Sequence, residues 1–507
     1  MNRTVDILLT DLRYLINDLG TGGGQISASI YDTAQTLRLA PPPEGIGPAL
    51  NWLTEQQQSD GGWGDPVLPR TREVPTLAAM LALHSYGTRT HDRLAVRTAL
   101  AFLKRQAWQW MTPLPDDLPV GVELLLPRLI EEAAKAGLDV PLAPYASLIA
   151  LGNRRRRLIA GTPPALGQTA IHSWEAWGSD PDPALLDGVG SVGHSPAATA
   201  AWLHVAAEHA DLTDACATAR RYLEQAAAAT AMSIPGVVPT IWPIARFEQA
   251  TSLYTLLIAG LLDHPRLRDV LQPQIADLAA AMRPNGLGFS DFFDPNGQTT
   301  AAALAVLRAA GRPVDLAILK SFIDDDHYCA HQGELQSSIS VTAYVVHVLN
   351  RFGEASAYSV GALIDHQLPD GRWHIDKWHG SWLYSTCQVL IALQGTDQIT
   401  VMKRAIDALM SYQHADGGWG MHGSTAEETA YGILALRDLL RAGLLDTAAR
   451  LALSRAEQWM LYDYRPFSPS GHLCWLAKEV YRPLRLARTF ELAATILAAE
   501  PPSDDGA

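Results

Sequence analysis

The chain has 507 residues, 48% of them hydrophobic and 18% charged, and a formal net charge of −14. Those figures exclude extensive disorder and require more than one hydrophobic core. They also exclude nucleic acid as a partner, because the longest basic run, Arg154–Arg157, is too short to track a phosphate backbone and reads as a solvated helix end.

In chain order, Met1–Leu19 alternates charges with leucines and has no apolar core or cleavage site, so it reads as a helix rather than a secretion signal. No run of 18 apolar residues follows, which predicts a cytoplasmic protein without stable membrane insertion. Four cysteines (Cys216, Cys329, Cys387 and Cys474) lack CxxC spacing, so neither a zinc site nor a disulfide framework is expected. Alanine-rich segments with helical spacing recur at Ala197–Ala207, Ala217–Ala231, Ala301–Ala310 and Ala430–Leu440. Ser195 before Pro196 predicts an N-cap with proline in the first turn. Ser424–Glu427 predicts a capping box, and Thr299 or Thr300 is the expected cap of a helix closed by Gly311 and Pro313. Strand signals are nearly absent, and the expected fold class is all-α.

An internal repeat organises these helices. Gln58-Ser59-Asp60-Gly61-Gly62-Trp63-Gly64 returns as Gln413-His414-Ala415-Asp416-Gly417-Gly418-Trp419-Gly420, and more loosely as Gln367-Leu368-Pro369-Asp370-Gly371-Arg372-Trp373. Each copy follows an apolar helical stretch and precedes another helix. Glycine permits the positive φ that ends a helix, glutamine and aspartate can bond free backbone groups, and tryptophan can cover the junction. Trp373 and Trp419 lie 46 residues apart (419 less 373), the length of two helices and their loops. Stacked hairpins of that length predict a solenoid or a closed α/α-barrel.

These copies resemble the QW motifs of the terpene cyclase superfamily, and further segments are similar to bacterial class II terpene cyclases in the same order. They are Ser29-Ile30-Tyr31-Asp32-Thr33-Ala34, Gly190–Ala200, Pro243–Glu248, Asp376-Lys377-Trp378-His379 with Tyr384-Ser385-Thr386, Gly423–Tyr431, and Trp475–Lys478 with Tyr481 and Pro483. The resemblance covers roughly residues 26 to 485. It implies two α/α-barrels, β and γ, with the active site in the cleft between them. Residues 1–24 would be the first β-domain helix, 25–270 the inserted γ domain and 271–507 the rest of the β domain. The length implies that the class I α domain is missing.

The resemblance further implies cyclisation of farnesyl or geranylgeranyl diphosphate, begun by protonation of an alkene with the diphosphate left in place. The family's acid is the middle aspartate of a D-x-D-D or D-x-D-T-T motif. Here the corresponding segment, Gly288–Ala301, puts Asn296 at the first aspartate, Gln298 at the donor and Thr299 after it. A carboxylic acid can surrender a proton, whereas a primary amide cannot do so at a useful rate near neutral pH. Three readings stay open. Asp294 or Asp291, four and seven residues before Gln298, is a relocated acid. Alternatively the diphosphate is ionised with Mg²⁺, or an acid elsewhere such as Glu334 serves. In the third reading the protein binds a prenyl diphosphate without turning it over. Asp324–Asp326 reads as a solvated acidic turn, and His172 and His194 as local hydrogen-bonders.

The substrate-facing residues implied are Phe289, Phe292, Phe293, Trp378, Trp382 and Tyr384, whose rings can stabilise cations, with Lys377 and Lys478 for the diphosphate. Mg²⁺ is implied by the diphosphate rather than by any ligand cluster. A monomer or homodimer is expected. The alternative class is a helical repeat scaffold for another protein, which a solid barrel without an aromatic cavity would favour.

Overall fold

The apolar stripe of the first helix, α1 (Arg3–Asp18), consists of Val5, Leu9, Leu12 and Ile16, three or four residues apart and all buried. These coordinates are a computed structural model that describes residues 3–500, apart from 112, 115–117, 163–164, 326, 333, 335–336, 355–356 and 463–472. Eight helices follow: α2 (Ile30–Leu39), α3 (Gly47–Glu55), α4 (Glu73–Tyr86), α5 (Thr90–Gln106), α6 (Val122–Lys135), α7 (Ala146–Gly161), α8 (Pro196–Ala206) and α9 (Thr213–Ala229). Of these, α2, α4, α6 and α8 form an inner wall, with the 3₁₀ segment Thr169–Ala176 joining α6 to α8. Among the inner helices, α4 is buried without a break from Glu73 through Leu83 and is accordingly apolar on nearly every side. The other four pack outside them.

A second ring contains α10 (Ala245–Ala259), α11 (Arg268–Ala281), α12 (Gly297–Ala309), α13 (Ile339–Arg351) and α14 (Ala357–Asp365). It continues with α15 (Trp382–Leu393), α16 (Ile399–Ser411), α17 (Ala426–Arg441), α18 (Thr447–Tyr462) and α19 (Leu484–Ala499). Its inner wall closes through α10, α12, α13, α15, α17, α19 and back to α10. Helix α1 completes the outside, against α11 and α19. Because α10 is an inner member of the second ring, we place the boundary between α9 and α10 rather than at residue 270. Two short hairpins complete the described structure: β1 (Ile323–Asp324) with β2 (His327–Tyr328), and β3 (Trp475–Leu476) with β4 (Val480–Tyr481). No described helix is long and apolar enough to cross a membrane.

The tryptophan repeats are fasteners of one design. Trp63, Trp373 and Trp419 are fully buried, and each indole N–H donates to the carbonyl ten residues upstream: Leu53 at 2.6 Å, Leu363 at 2.7 Å and Leu409 at 2.8 Å. The glutamine six residues before each tryptophan bridges two backbones. Gln57 donates to Gly61 and Ala95, Gln367 to Gly371 and Val401, and Gln413 to Gly417 and Ala452, all at 2.8–3.0 Å. The working residue of the first copy is thus Gln57 and not Gln58, which is exposed. Gly371 adopts φ +94°, and a Cβ there would lie 2.2 Å from the Arg404 carbonyl, so only glycine fits.

Ser195 caps α8 as expected, accepting from the Ala198 N–H at 3.1 Å. Two other caps sit elsewhere than the sequence suggests. Thr425, not Ser424, caps α17, pairing with Glu428; Asn296, not Thr299 or Thr300, caps α12. In both cases the side chain that wins is the one whose oxygen stands three residues before an open helix N–H.

Candidate active site

A cleft of about 320 Å³ lies between the rings. Its second-ring wall carries Phe289, Phe293, His331, Glu334, Lys377, Trp378 and Tyr481, and its first-ring wall carries Glu123, Arg155 and His172. The aromatic wall is held by its own ring contacts: Phe289 stacks on Phe247 at 4.8 Å, and Phe293 and Trp378 both meet His331 edge-on at 6.0 Å.

Two ion pairs set the cleft's charge. Arg155 bonds Glu123 at 3.0 Å and Lys377 pairs with Glu334. Burial pushes the Glu334 carboxyl up from its ordinary value, against the opposing pull of Lys377, and burial pushes Lys377 down. The second Glu334 oxygen accepts from the Ala330 N–H at 2.8 Å. Burial also takes the His331 imidazole down to about 4, helped by the Lys377 charge and opposed by the Pro295 carbonyl. His172 is likewise held well below its usual value by burial, and its Nδ1 contacts the Gly193 carbonyl at 2.8 Å.

The start of α12 stands beside this cleft. Asn296 Oδ1 accepts from the Thr299 N–H at 3.0 Å, leaving its Nδ2 to face His331 Nε2 at 3.3 Å. Gln298 turns into the ring instead, donating to the Tyr384 hydroxyl at 3.2 Å, which donates in turn to Tyr344 at 3.1 Å. Thr299 is fully buried. Asn296 touches the cleft through His331, and Gln298 is not one of its lining residues.

The other expected site residues divide sharply. Phe289, Phe293, Lys377, Trp378 and Glu334 come together in the cleft. Tyr384 stays in the ring interior, stacked on His379 at 4.0 Å. Phe292 is 42% exposed, and Trp382 packs outside against Tyr412 and Arg372. Asp291 is an exposed partner of Arg246 at 2.8 Å. Asp294 is half-buried, which raises its carboxyl, but it lies off the cleft wall. Lys478 is wholly enclosed by Glu175 and Ser195, both at 2.6 Å, with Asp32 at 4.0 Å, so it presents no face to a substrate. Asp324 is exposed on the β1–β2 hairpin, with His327 and Cys329 ligand atoms within 4.8 Å; Asp326 lies outside the described residues. His194 bonds Asp187 at 2.9 Å and Ser290 at 2.5 Å, a local role as expected.

Arg155, Glu123, His331 and Tyr481 are cleft residues that sequence reasoning did not assign. Arg155 had a signal in the Arg154–Arg157 run: Gly152, one turn earlier, leaves no room for a Cβ beside the Glu123 carbonyl, 2.0 Å away. This contact brings α7 onto α6 and turns one arginine of the run inward. His331 follows no motif and is found only by folding the loop.

Two closed helical rings with an aromatic, ion-paired cleft between them define the class II terpene cyclase architecture. Residues 328–438 match the squalene–hopene cyclase C-terminal domain. The chain is 51% identical to the (+)-kolavenyl diphosphate synthase of Herpetosiphon aurantiacus, over 98% of each chain. It is 32% identical to an ent-copalyl diphosphate synthase of a Streptomyces species, over 94% of this chain and 93% of that one. The solved ent-copalyl diphosphate synthase of Streptomyces platensis superposes with a TM-score of 0.79 at 27% identity, covering 97% of this chain and all of that one. The chain belongs to the bacterial class II diterpene cyclases and is an enzyme of that family.

Proposed function

We propose that this enzyme cyclises a linear prenyl diphosphate by proton-initiated chemistry and releases a cyclic product with its diphosphate intact. The observation that carries this reading is the cleft itself, a single cavity lined by the rings of Phe289, Phe293 and Trp378 from the second helical ring and by Arg155 from the first. Aromatic faces stabilise passing carbocations by about 0.5–2 kcal/mol each, and a guanidinium suits a diphosphate. Two relatives are named for diphosphate products, which supports retention of that group, and a third is named a diterpene cyclase, which favours geranylgeranyl over farnesyl diphosphate.

A resident magnesium ion does not fit the described cleft residues. Both lining carboxylates, Glu123 and Glu334, are already held by a cation. Mg²⁺ enters this reading only as counter-ion of the substrate, and no step runs through it.

Purified protein given farnesyl or geranylgeranyl diphosphate tests the reading. A cyclic alcohol recovered only after phosphatase treatment is the expected result. Free pyrophosphate with a hydrocarbon would mean ionisation instead. Unchanged substrate that still raises the melting temperature would mean binding without turnover.

A further inference from the structure

The connection between α12 and α13 carries the β1–β2 hairpin, which gathers three side chains of metal-binding type: Asp324, His327 and Cys329. We propose that these three form a zinc site, separate from the substrate's counter-ion, that clamps the hairpin beside the second ring. No CxxC spacing announces it; the hairpin register does.

Asp324 and His327 are directly paired across the two strands, so their side chains leave the ribbon on the same face. Asp325 between them takes φ +49°, the left-handed conformation of a tight hairpin turn. Cys329 stands two residues beyond His327, and the pleat returns it to that face. The pairing reaches that far, since the Cys329 N–H donates to the Phe322 carbonyl at 2.9 Å. One ligand atom from each of the three lies within 4.8 Å of the others. A tetrahedral zinc ion spaces its ligand atoms by roughly 3.3–3.6 Å, so closure on the ion needs a movement of about 1 Å. Asp324, which is exposed, can supply it by turning about its own side-chain bonds.

The inner strand is fixed independently of any ion. The Tyr328 N–H donates to Thr342 Oγ1 at 3.1 Å, and the Cys329 thiol donates to the Phe322 carbonyl at 3.3 Å. Next along the chain, the Ala330 carbonyl accepts from the Gly297 N–H at the start of α12 at 2.8 Å. Burial deepens from exposed Asp324 through half-buried His327 to buried Cys329, which gives an ion a path inward from solvent.

The donor set selects the metal. One thiolate, one imidazole and one carboxylate suit Zn²⁺, with water as the fourth ligand, whereas Mg²⁺ prefers oxygen ligands. The thiolate and the carboxylate together cancel the charge of the ion. Cys329 gives its thiol proton to solvent as the S–Zn bond forms. Burial pushes that thiol up to about 11, which costs about a hundredfold in affinity against an ordinary thiol. A dissociation constant on the order of micromolar is therefore expected. Beyond Cys329 the chain runs straight into His331 and Glu334, which line the cleft. An ion on the hairpin thus stiffens the segment that leads into the cleft wall.

The test strips purified full-length protein with a chelator and titrates it with Co²⁺, a spectroscopic stand-in for Zn²⁺. One equivalent should bind and give a thiolate-to-cobalt absorption band, which added Zn²⁺ should abolish by displacement. Cys329→Ser should lose the band. Asp324→Asn changes an exposed side chain and leaves the fold in place, yet it should weaken Co²⁺ binding at least tenfold. Cys387→Ser, on α15, should leave the band unchanged. Excess Zn²⁺ should raise the melting temperature of the wild type by more than that of Asp324→Asn. A wild type without a thiolate band, a band that survives Cys329→Ser, or equal affinity in Asp324→Asn would overturn the site.

Discussion

Two helix starts meet at the junction of the rings, and they treat charge in opposite ways. At α8, Ser195 caps the helix while also accepting from Lys478, and Asp32 accepts from the Ala197 N–H. Glu175 and Glu479 complete that cluster, Glu479 by holding the N–H groups of Ile30 and Tyr31. At α12, Asn296 caps with a neutral amide, and its neighbour His331 is uncharged at neutral pH. A charge cluster closed on itself locks two rings together but cannot reach a ligand. A neutral start does nothing to offset burial and the Lys377 charge, which together hold the neighbouring imidazole well below its ordinary value.

The largest effect should come from opening the closed cluster. Lys478→Met should cost about 3–5 kcal/mol of unfolding free energy, because Glu175 and Asp32 then stay buried without their cation. Denaturant titration checks this, and a loss below about 1 kcal/mol would mean that the cluster is not what joins the rings.

The two starts should also respond to pH with opposite signs. His331 and His379 titrate at about 4 and about 3 when folded, below the ordinary 6.5. Their contribution is therefore complete above pH 6.5 and lost as pH falls through 4 and then 3. Asp32 and Glu479 are raised by burial to about 6 and about 8. Theirs is complete below about pH 4 and lost as pH rises through 6 and then 8. Each limb should amount to a few kcal/mol, read from denaturation midpoints between pH 3 and 9. His331→Asn should remove only the part of the acid limb that ends near pH 4, and Glu479→Gln only the part of the alkaline limb that ends near pH 8.

Smaller effects separate the caps. Ser195→Ala should cost about 2 kcal/mol, since it removes both a cap and an acceptor for a buried ammonium, against about 1 kcal/mol for Asn296→Ala. Equal losses would erase the contrast. Smallest in stability is Asn296→Asp, a few tenths of a kcal/mol, because a carboxylate caps equally well. It should nonetheless raise the His331 pKa, which histidine NMR titration would register.

Much of the fold was legible because helix periodicity and backbone closure act over short distances. Trp63, Trp373 and Trp419 each bond a carbonyl ten residues away, so their local segments carry nearly all the information. The site was legible only in part. Phe289, Phe293, Trp378 and Lys377 reach the cleft because their segments form its wall. Lys478 sits in a similarly marked segment, but its partners Asp32, Glu175 and Ser195 come from distant parts of the chain, and no local pattern could show that they enclose it. Arg155 and His331 were hidden for the same reason, since a helix crossing and a loop path decide where they point.

The packing of α1 on α19 has a consequence for how the molecule is made. The seam between them continues into the backbone: Ser27 N–H donates to the Arg482 carbonyl at 2.9 Å, and Leu484 N–H to that of Gln25, also at 2.9 Å. During synthesis α1 leaves the ribosome hundreds of residues before its mate, so the first ring can close while the second stays open around it. Helix α19, which follows every other described helix in the chain, is the latch of the assembly. A circular permutant that links the end of α19 to α1 and opens the chain in a surface loop should fold with that latch already fastened.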